Sequence, residues 1–285
     1  MRPDYITDEF LSNFITAALA EDIGDGDHTT LAAIPGDATS RARLIVKDHG
    51  VAAGVLLARE IFTRYDPGLQ VDIKVQDGSE VAPGDIILTV SGSSRSILTT
   101  ERLMLNCMQR MSGIATRTRR LAKRIAGTGA KLLDTRKTTP NFRILEKWAV
   151  RIGGGENHRL GLYDMIMLKD NHIDMAGGIE QAIIRTKDYL RAGNKTLTIE
   201  IETRNLQEVE EVLRVGGVDI IMLDNMSLAD MKTAIARIGE RFRTEASGNI
   251  TEENIRAVAQ CGVDYISVGA LTHSIESLDL SLKAY

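Results

Sequence analysis

From residue 131 onward, short apolar runs return every 20 to 35 residues, each ending in a polar cluster: LLDTRK, MIMLKDNH, LTIEIE, DIIMLDN, FRTEASGN and YISVGA. Helical apolar spacing fills the intervals at 178–190, 206–215, 227–238 and 251–259. Ser227 with Asp230 makes a capping-box pattern, and Thr251 before Glu252 and Glu253 reads as an N-cap. Runs this uniformly apolar are strands buried on both faces, and regular strand–helix alternation predicts a parallel sheet. The polar residues gather at the C-terminal strand ends, where the loops of an α/β barrel converge, so a barrel is favoured over a doubly wound sheet. Six strands fall short of eight. The barrel is therefore incomplete, or a strand near 150–160 is masked by its glycines.

The chain before this repeat has another character. Residues 8–20 have helical spacing, whereas 42–98 alternate β-branched residues with turns at Asp77-Gly78 and Pro83-Gly84-Asp85. An amphipathic helix over 99–124, interrupted near Ser112-Gly113, leads into the barrel. The expected organisation is an α+β domain over 1–113, an α/β barrel over 114–272, and a C-terminal helix over 273–285 packing back on the first domain. The segment DGSEVAPGDIILTVSG at 77–92 has the grammar of a lipoyl or biotinyl carrier hairpin, but no lysine stands at a hairpin tip, so it reads as ordinary β-structure.

A net charge of -4 argues against nucleic acid as the main partner, yet ten Lys or Arg face only Glu101 and Asp134 between residues 99 and 137. That excess marks a local anion site, or, for Arg117, Arg119, Arg120, Lys123 and Arg124, a solvated helix face. The two cysteines, Cys107 and Cys261, are far apart and belong to no metal-binding cluster. No run has the length of a signal core or a membrane span. The expectation is a cytoplasmic protein with neither membrane nor nucleic-acid partners.

The strand ends divide by charge. Early ones carry Asp134, Arg136, Lys137, Lys169, Asp170, Asn171 and His172, with Arg143, His158 and Arg159 in the loops; middle ones carry Glu200, Glu202, Asp224 and Asn225; late ones carry Ser247, Gly248 and Gly269. Cations beside carboxylates beside small residues suit a phosphorylated substrate bridged by a hard divalent ion, and Glu202 with Asp224 supplies the one or two carboxylates that Mg2+ prefers. Glu200 and Glu202 lie on one strand face, so either is a candidate, the alternative being structural pairing with the cations. Between the cationic strands, RIGGGENHRLGLYD at 151–164 spends three consecutive glycines, which must serve flexibility or close approach, and it carries His158.

These residues resemble a known family. DTRKTTP at 134–140, EKWAVRIGGGENHRLGLYD at 146–164, KDNH at 169–172, EIE at 200–202, LDN at 223–225 and EASGNI at 245–250 are similar to quinolinate phosphoribosyltransferases, also called nicotinate-nucleotide pyrophosphorylases (carboxylating). TERLMLNCMQRMSGIAT at 100–116 resembles the family's linker helix and EDIGDGDHTT at 21–30 its N-terminal signature. The resemblance implies an α/β fold, with a mixed α+β N-terminal domain and an incomplete parallel barrel of type II phosphoribosyltransferase kind. It implies a pentosyltransferase of NAD synthesis that moves phosphoribose from phosphoribosyl pyrophosphate to quinolinate with decarboxylation and requires Mg2+. Thr135, Arg136, Lys137, His158, Arg159 and Lys169 would surround the diacid and phosphates, and Glu202 and Asp224 the ribose and metal. Ser247, Gly248 and Asn249 with Val268, Gly269 and Ala270 would cradle the 5'-phosphate. Lys137, Glu202 and Asp224 are the candidates for catalysis. Arg102 corresponds to an arginine lent to a neighbouring subunit, which implies a homodimer at least and allows a hexamer. Asn249 departs from the family's second glycine; asparagine tolerates a left-handed backbone, so the cradle should survive. The rivals are nicotinate phosphoribosyltransferase, which holds one carboxylate fewer, and a Schiff-base aldolase built on Lys169 or Lys137.

Overall fold

The computed structural model describes residues 2–285. They form two units, one running to Arg119 and including Thr139–Gly154 and Leu271–Tyr285, the other Arg120–Thr138 with Gly155–Ala270. In chain order the elements are α1 (Asp8–Ile23), α2 (His28–Ala33), β1 (Thr39–Val46), β2 (Gly50–Val51), α3 (Val55–Tyr65), β3 (Gln70–Ile73), β4 (Glu80–Val81), β5 (Ile86–Ser93), α4 (Ser94–Ile125) and β6 (Lys131–Leu133). There follow α5 (Arg143–Gly153), β7 (Ile166–Leu168), α6 (Asp170–Ala176), α7 (Ile179–Ala192), β8 (Ile199–Thr203), α8 (Leu206–Val215), β9 (Ile220–Asp224) and α9 (Leu228–Ile238). The last are β10 (Arg243–Ser247), α10 (Ile255–Ala259), β11 (Tyr265–Ser267), α11 (Ala270–His273) and β12 (Leu280–Ala284).

The first unit is built on an antiparallel sheet in the order β12-β1-β5-β3. Its final strand corrects the expectation of a C-terminal helix. Leu280 and Leu282 are buried and alternate with Ser281 and Lys283, a period of two that seats them opposite Val46 and Leu44 of β1. Helix α3 is a second correction within the stretch read as β-structure. Val55, Leu57, Ala58, Ile61 and Phe62 are all fully buried at helical spacing, each contributing roughly 1.5–3 kcal/mol where the side chain is large.

Helix α4 is continuous through Ser112-Gly113, where an interruption was expected. The glycine serves packing instead. A Cβ at Gly113 would lie 2.1 Å from the Glu276 carbonyl oxygen, so only glycine admits the C-terminal segment there. Ser112 Oγ, fully buried, accepts from Ala53 N at 3.0 Å and donates to Ala53 O at 3.2 Å, which satisfies both groups away from water.

The second unit carries one parallel sheet in the order β6-β11-β10-β9-β8-β7. All six expected strands are present, and the sheet stays open between β6 and β7. The strand suspected near 150–160 is reduced to one bridge, Glu156 beside Leu133. Ser227 Oγ caps α9 by accepting from Asp230 N at 3.1 Å, as the sequence pattern indicates. Thr251 does not cap α10; that helix begins at Ile255, and Asn254 Oδ1 accepts from Thr251 N at 2.8 Å instead.

Candidate active site

The C-terminal strand ends of the second unit bring together charges that are costly to hold so close. In the loop that follows β6, Arg136 is half-buried, and its Nε has no hydrogen-bond partner although it is shielded from water. Arg159 stands near enough that, after burial, the positive charge of Arg136 is the next cause of its lowered proton affinity. Two guanidiniums repelling each other, one with an orphaned donor, are an arrangement that an anion would relieve. Thr135 Oγ1 accepts from Lys137 N at 3.1 Å, shaping the turn that leaves Lys137 exposed at its rim.

Across the sheet, Lys169 follows β7 and its ammonium lies 3.7 Å from Glu202 Oε2 on β8. Its backbone N–H donates to His172 Nδ1 at 3.0 Å, so His172 serves as a helix cap. Burial first, and then the negative charge of Asp224, raise the pKa of Glu202. Two carboxylates this close, with the charge of one disfavouring ionisation of Glu202, suit a divalent cation, and oxygen donors of this kind fit Mg2+.

Glu200 points to a different task from Glu202. It is fully buried, and its Oε2 accepts from His158 Nε2 at 2.9 Å, while Glu245 Oε2 lies 3.4 Å from the same nitrogen. Burial and the neighbouring Glu245 charge raise the pKa of Glu200, and His158 opposes them. For His158 burial disfavours the cation, but the hydrogen bonds and charges of Glu200 and Glu245 outweigh it and raise the ring's pKa. Arg159 N–H, 2.8 Å from His158 Nδ1, competes for the lone pair that a second proton would take. One neutral hydrogen bond is worth about 1 kcal/mol, less than two buried carboxylates, so the carboxylates prevail. His158 therefore has Nε2 committed to the buried carboxylates.

Asp134 fixes this turn from below, accepting from His158 N at 2.9 Å and from Asn157 Nδ2 at 2.7 Å. Two of the three preceding glycines serve close approach and helix termination. Gly153 packs where a Cβ would meet Ala115 O at 2.6 Å, and Gly154, at φ 97°, ends α5 in the left-handed conformation.

On the small-residue side, Asp224 and Ser247 are register partners, so the ends of β9 and β10 are level. Gly248 has φ 89°, and a Cβ there would lie 2.2 Å from Asn225 Oδ1. Asn249 adopts φ 51°, the left-handed backbone anticipated for it. Val268 N donates to Leu133 O at 3.0 Å, and Gly269 and Ala270 open onto α11. Arg102, exposed on α4, and Arg143, at the start of α5, belong to the first unit. Glu245 is the residue that sequence reasoning missed. Its signal was an acid at the centre of a short strand, between Thr244 and Ala246.

A cavity of about 600 Å³ opens at the opposite, N-terminal strand ends. Its polar groups are spent on the strands: Asp219 Oδ2 accepts from Ile199 N at 2.7 Å, and Asp264 Oδ2 accepts from Thr244 N at 2.7 Å. That is the stabilising face of a barrel rather than its catalytic one.

An open parallel barrel whose C-terminal mouth joins paired arginines, an acid pair and a small-residue edge defines an enzyme acting on polyanionic, phosphorylated substrates. The family described as "Quinolinate phosphoribosyl transferase, N-terminal domain" matches residues 27–112, and the corresponding C-terminal domain matches 114–283. The chain is 47% identical to "Nicotinate-nucleotide pyrophosphorylase [carboxylating], chloroplastic" of Arabidopsis thaliana, over 96% of this chain and 82% of that protein. Against "Quinolinate phosphoribosyltransferase [decarboxylating] 1b" of Nicotiana tabacum the identity is 46%, with the same coverage. The crystal structure of NadC from Streptococcus pyogenes superimposes with a TM-score of 0.92 at 41% identity, covering 99% of this chain and 98% of that one. The chain belongs to the quinolinate phosphoribosyltransferase family.

Proposed function

We propose that this protein transfers phosphoribose from phosphoribosyl pyrophosphate to the ring nitrogen of quinolinate, releasing pyrophosphate and CO2 and leaving nicotinate mononucleotide for NAD synthesis. The observation that carries the reading is the orphaned Nε of Arg136 beside the like-charged Arg159. A dicarboxylate supplies the acceptors and the negative charge that this pair lacks, and arginine's planar fork matches a carboxylate edge. Lys137 extends the cationic rim. His158 acts through its buried partners and the backbone of Arg159.

In the reaction the ribose C1'–oxygen bond to pyrophosphate breaks and a bond from C1' to the pyridine nitrogen forms. The sugar passes through an oxocarbenium-like state, whose positive charge the Glu202 carboxylate would stabilise. Mg2+, held by Glu202 and Asp224, would neutralise the departing pyrophosphate. The C2–carboxylate bond then breaks as CO2 leaves, its electron pair stays on C2 beside the cationic ring nitrogen, and C2 takes up a proton. Ser247, Gly248 and Asn249 with Val268, Gly269 and Ala270 take the 5'-phosphate through backbone amides.

Arg102 completes the site of a second copy, making a homodimer the working unit. Cys107 and Cys261 are both free and buried, which supports a reducing, cytoplasmic setting. No helix among the described residues is long and apolar enough to cross a membrane. Quinolinate labelled at the 2-carboxylate tests the reading: label should leave as CO2 only when phosphoribosyl pyrophosphate and Mg2+ are present. Retention of the label under those conditions would overturn it.

A further inference from the structure

The mouth of the second unit contains a chain of side-chain amides with no assigned role. Asn225 Nδ2 lies 2.7 Å from Asp224 Oδ2, and Asn249 Nδ2 lies 2.9 Å from Asn225 Oδ1. Chemistry fixes the direction of both bonds. The Asp224 carboxylate only accepts, so Asn225 must present its NH2 group there and its carbonyl oxygen toward Asn249, which must donate. Two further contacts hold the chain at its outer end and at its backbone: Asn254 Nδ2 donates to Asn249 O at 2.9 Å, and Asn225 N donates to Ser247 O at 2.9 Å. Both asparagines sit in the left-handed region, φ 53° and 51°, and the Asn225 amide occupies the space that a Cβ on Gly248 would fill.

We propose that Asn249 and Asn225 are positioning residues, an amide relay that locks the Asp224 carboxylate in one orientation and couples it to the phosphate-binding turn at 247–249. This rests on the reading of the mouth as the phosphoribosyl pyrophosphate site. Without Asn249, Asn225 Oδ1 loses its donor and the amide is held at one end only, by Asp224, so the carboxylate is no longer tied to the phosphate-binding turn. The relay thus makes occupancy of the phosphate turn and the geometry of the metal-side carboxylate a single event. Asn249, where the resemblance leads one to expect glycine, is then selected for its amide as well as for its backbone.

The test uses Asn225→Gly, Asn249→Gly and the double variant, because glycine retains the left-handed backbone and removes only the amide. In steady-state assays each single variant should raise KM for phosphoribosyl pyrophosphate by about 3- to 10-fold with kcat within about 2-fold, the size of one lost hydrogen bond. The double variant should be no worse than Asn225→Gly, since both act through one chain. Nuclear magnetic resonance reads the relay without turnover. The Asn225 side-chain NH2 signals should report the amide held at both ends in the native protein, and Asn249→Gly should shift them and speed their exchange. An unchanged Asn225 amide in Asn249→Gly, or additive effects in the double variant, would overturn the proposal. If the native protein formed no nicotinate mononucleotide, the functional reading alone would fail, and the amide signals would still decide the relay.

Discussion

His158 Nε2 lies 2.9 Å from Glu200 Oε2 in a fully shielded setting, with Glu245 as a second carboxylate on the same nitrogen. The native cluster consequently keeps protons that an unfolded chain releases. His158 is raised from 6.5 to about 10, and Glu200 from 4.5 to about 7. A raised group adds stability below its unfolded pKa and loses it as pH rises through the folded value. Stability should therefore fall between about pH 5 and 10, with a slope on the order of 1 kcal/mol per pH unit for each linked proton. Glu245→Gln removes one cause of both shifts. Denaturant unfolding across this range should show a shallower slope for Glu245→Gln than for the native protein, and equal slopes would contradict the cluster's role.

Gly248→Ala places a Cβ 2.2 Å from Asn225 Oδ1 and forces alanine to φ 89°. The backbone strain alone is on the order of 1–3 kcal/mol. Thermal unfolding should occur at a lower temperature, and KM for phosphoribosyl pyrophosphate should rise more than KM for quinolinate. A variant as stable and as active as the native protein would show that the turn is not held as described.

Arg136→Ala should lower kcat/KM for quinolinate on the order of 10²- to 10³-fold, because it deletes half of a shielded anion site. Arg136→Lys should recover little of this, since an ammonium restores charge without the fork that a carboxylate edge requires. Steady-state kinetics of the two variants check the point; full recovery by lysine would reduce Arg136 to a source of charge.

Arg102→Ala and Lys137→Ala, each inactive as a pure protein, should regain activity when coexpressed. If Arg102 serves the partner's site, random pairing restores about a quarter of the sites. No recovery in mixed assemblies would place Arg102 outside the shared site.

Much of this arrangement was legible before any coordinates, for a physical reason. Parallel strands buried on both faces are mostly apolar runs, so the residues where each run ends mark the mouth; Lys169, Glu202, Asp224 and Ser247 lie at or next to such ends, and Arg136 three residues beyond one. Local pattern failed where the decisive contact was distant. The five residues of β12 are too few to separate alternation from helical spacing, and only their pairing with β1 makes them a strand. Gly113 resembles a helix break until Glu276 is seen to occupy the space beside it. The division between Glu200 and Glu202 is of the same kind. Both face one side of β8, and what separates them is that His158 meets the first and Lys169 the second.

Paired arginines that hold a diacid rather than a monoacid must discriminate quinolinate from nicotinate. The most direct test is the ratio of kcat/KM for quinolinate to that for nicotinate, with phosphoribosyl pyrophosphate and Mg2+ saturating and nicotinate mononucleotide as the product measured. The site described here predicts a large preference for quinolinate that collapses in Arg136→Ala; equal or better use of nicotinate by the native protein would contradict it.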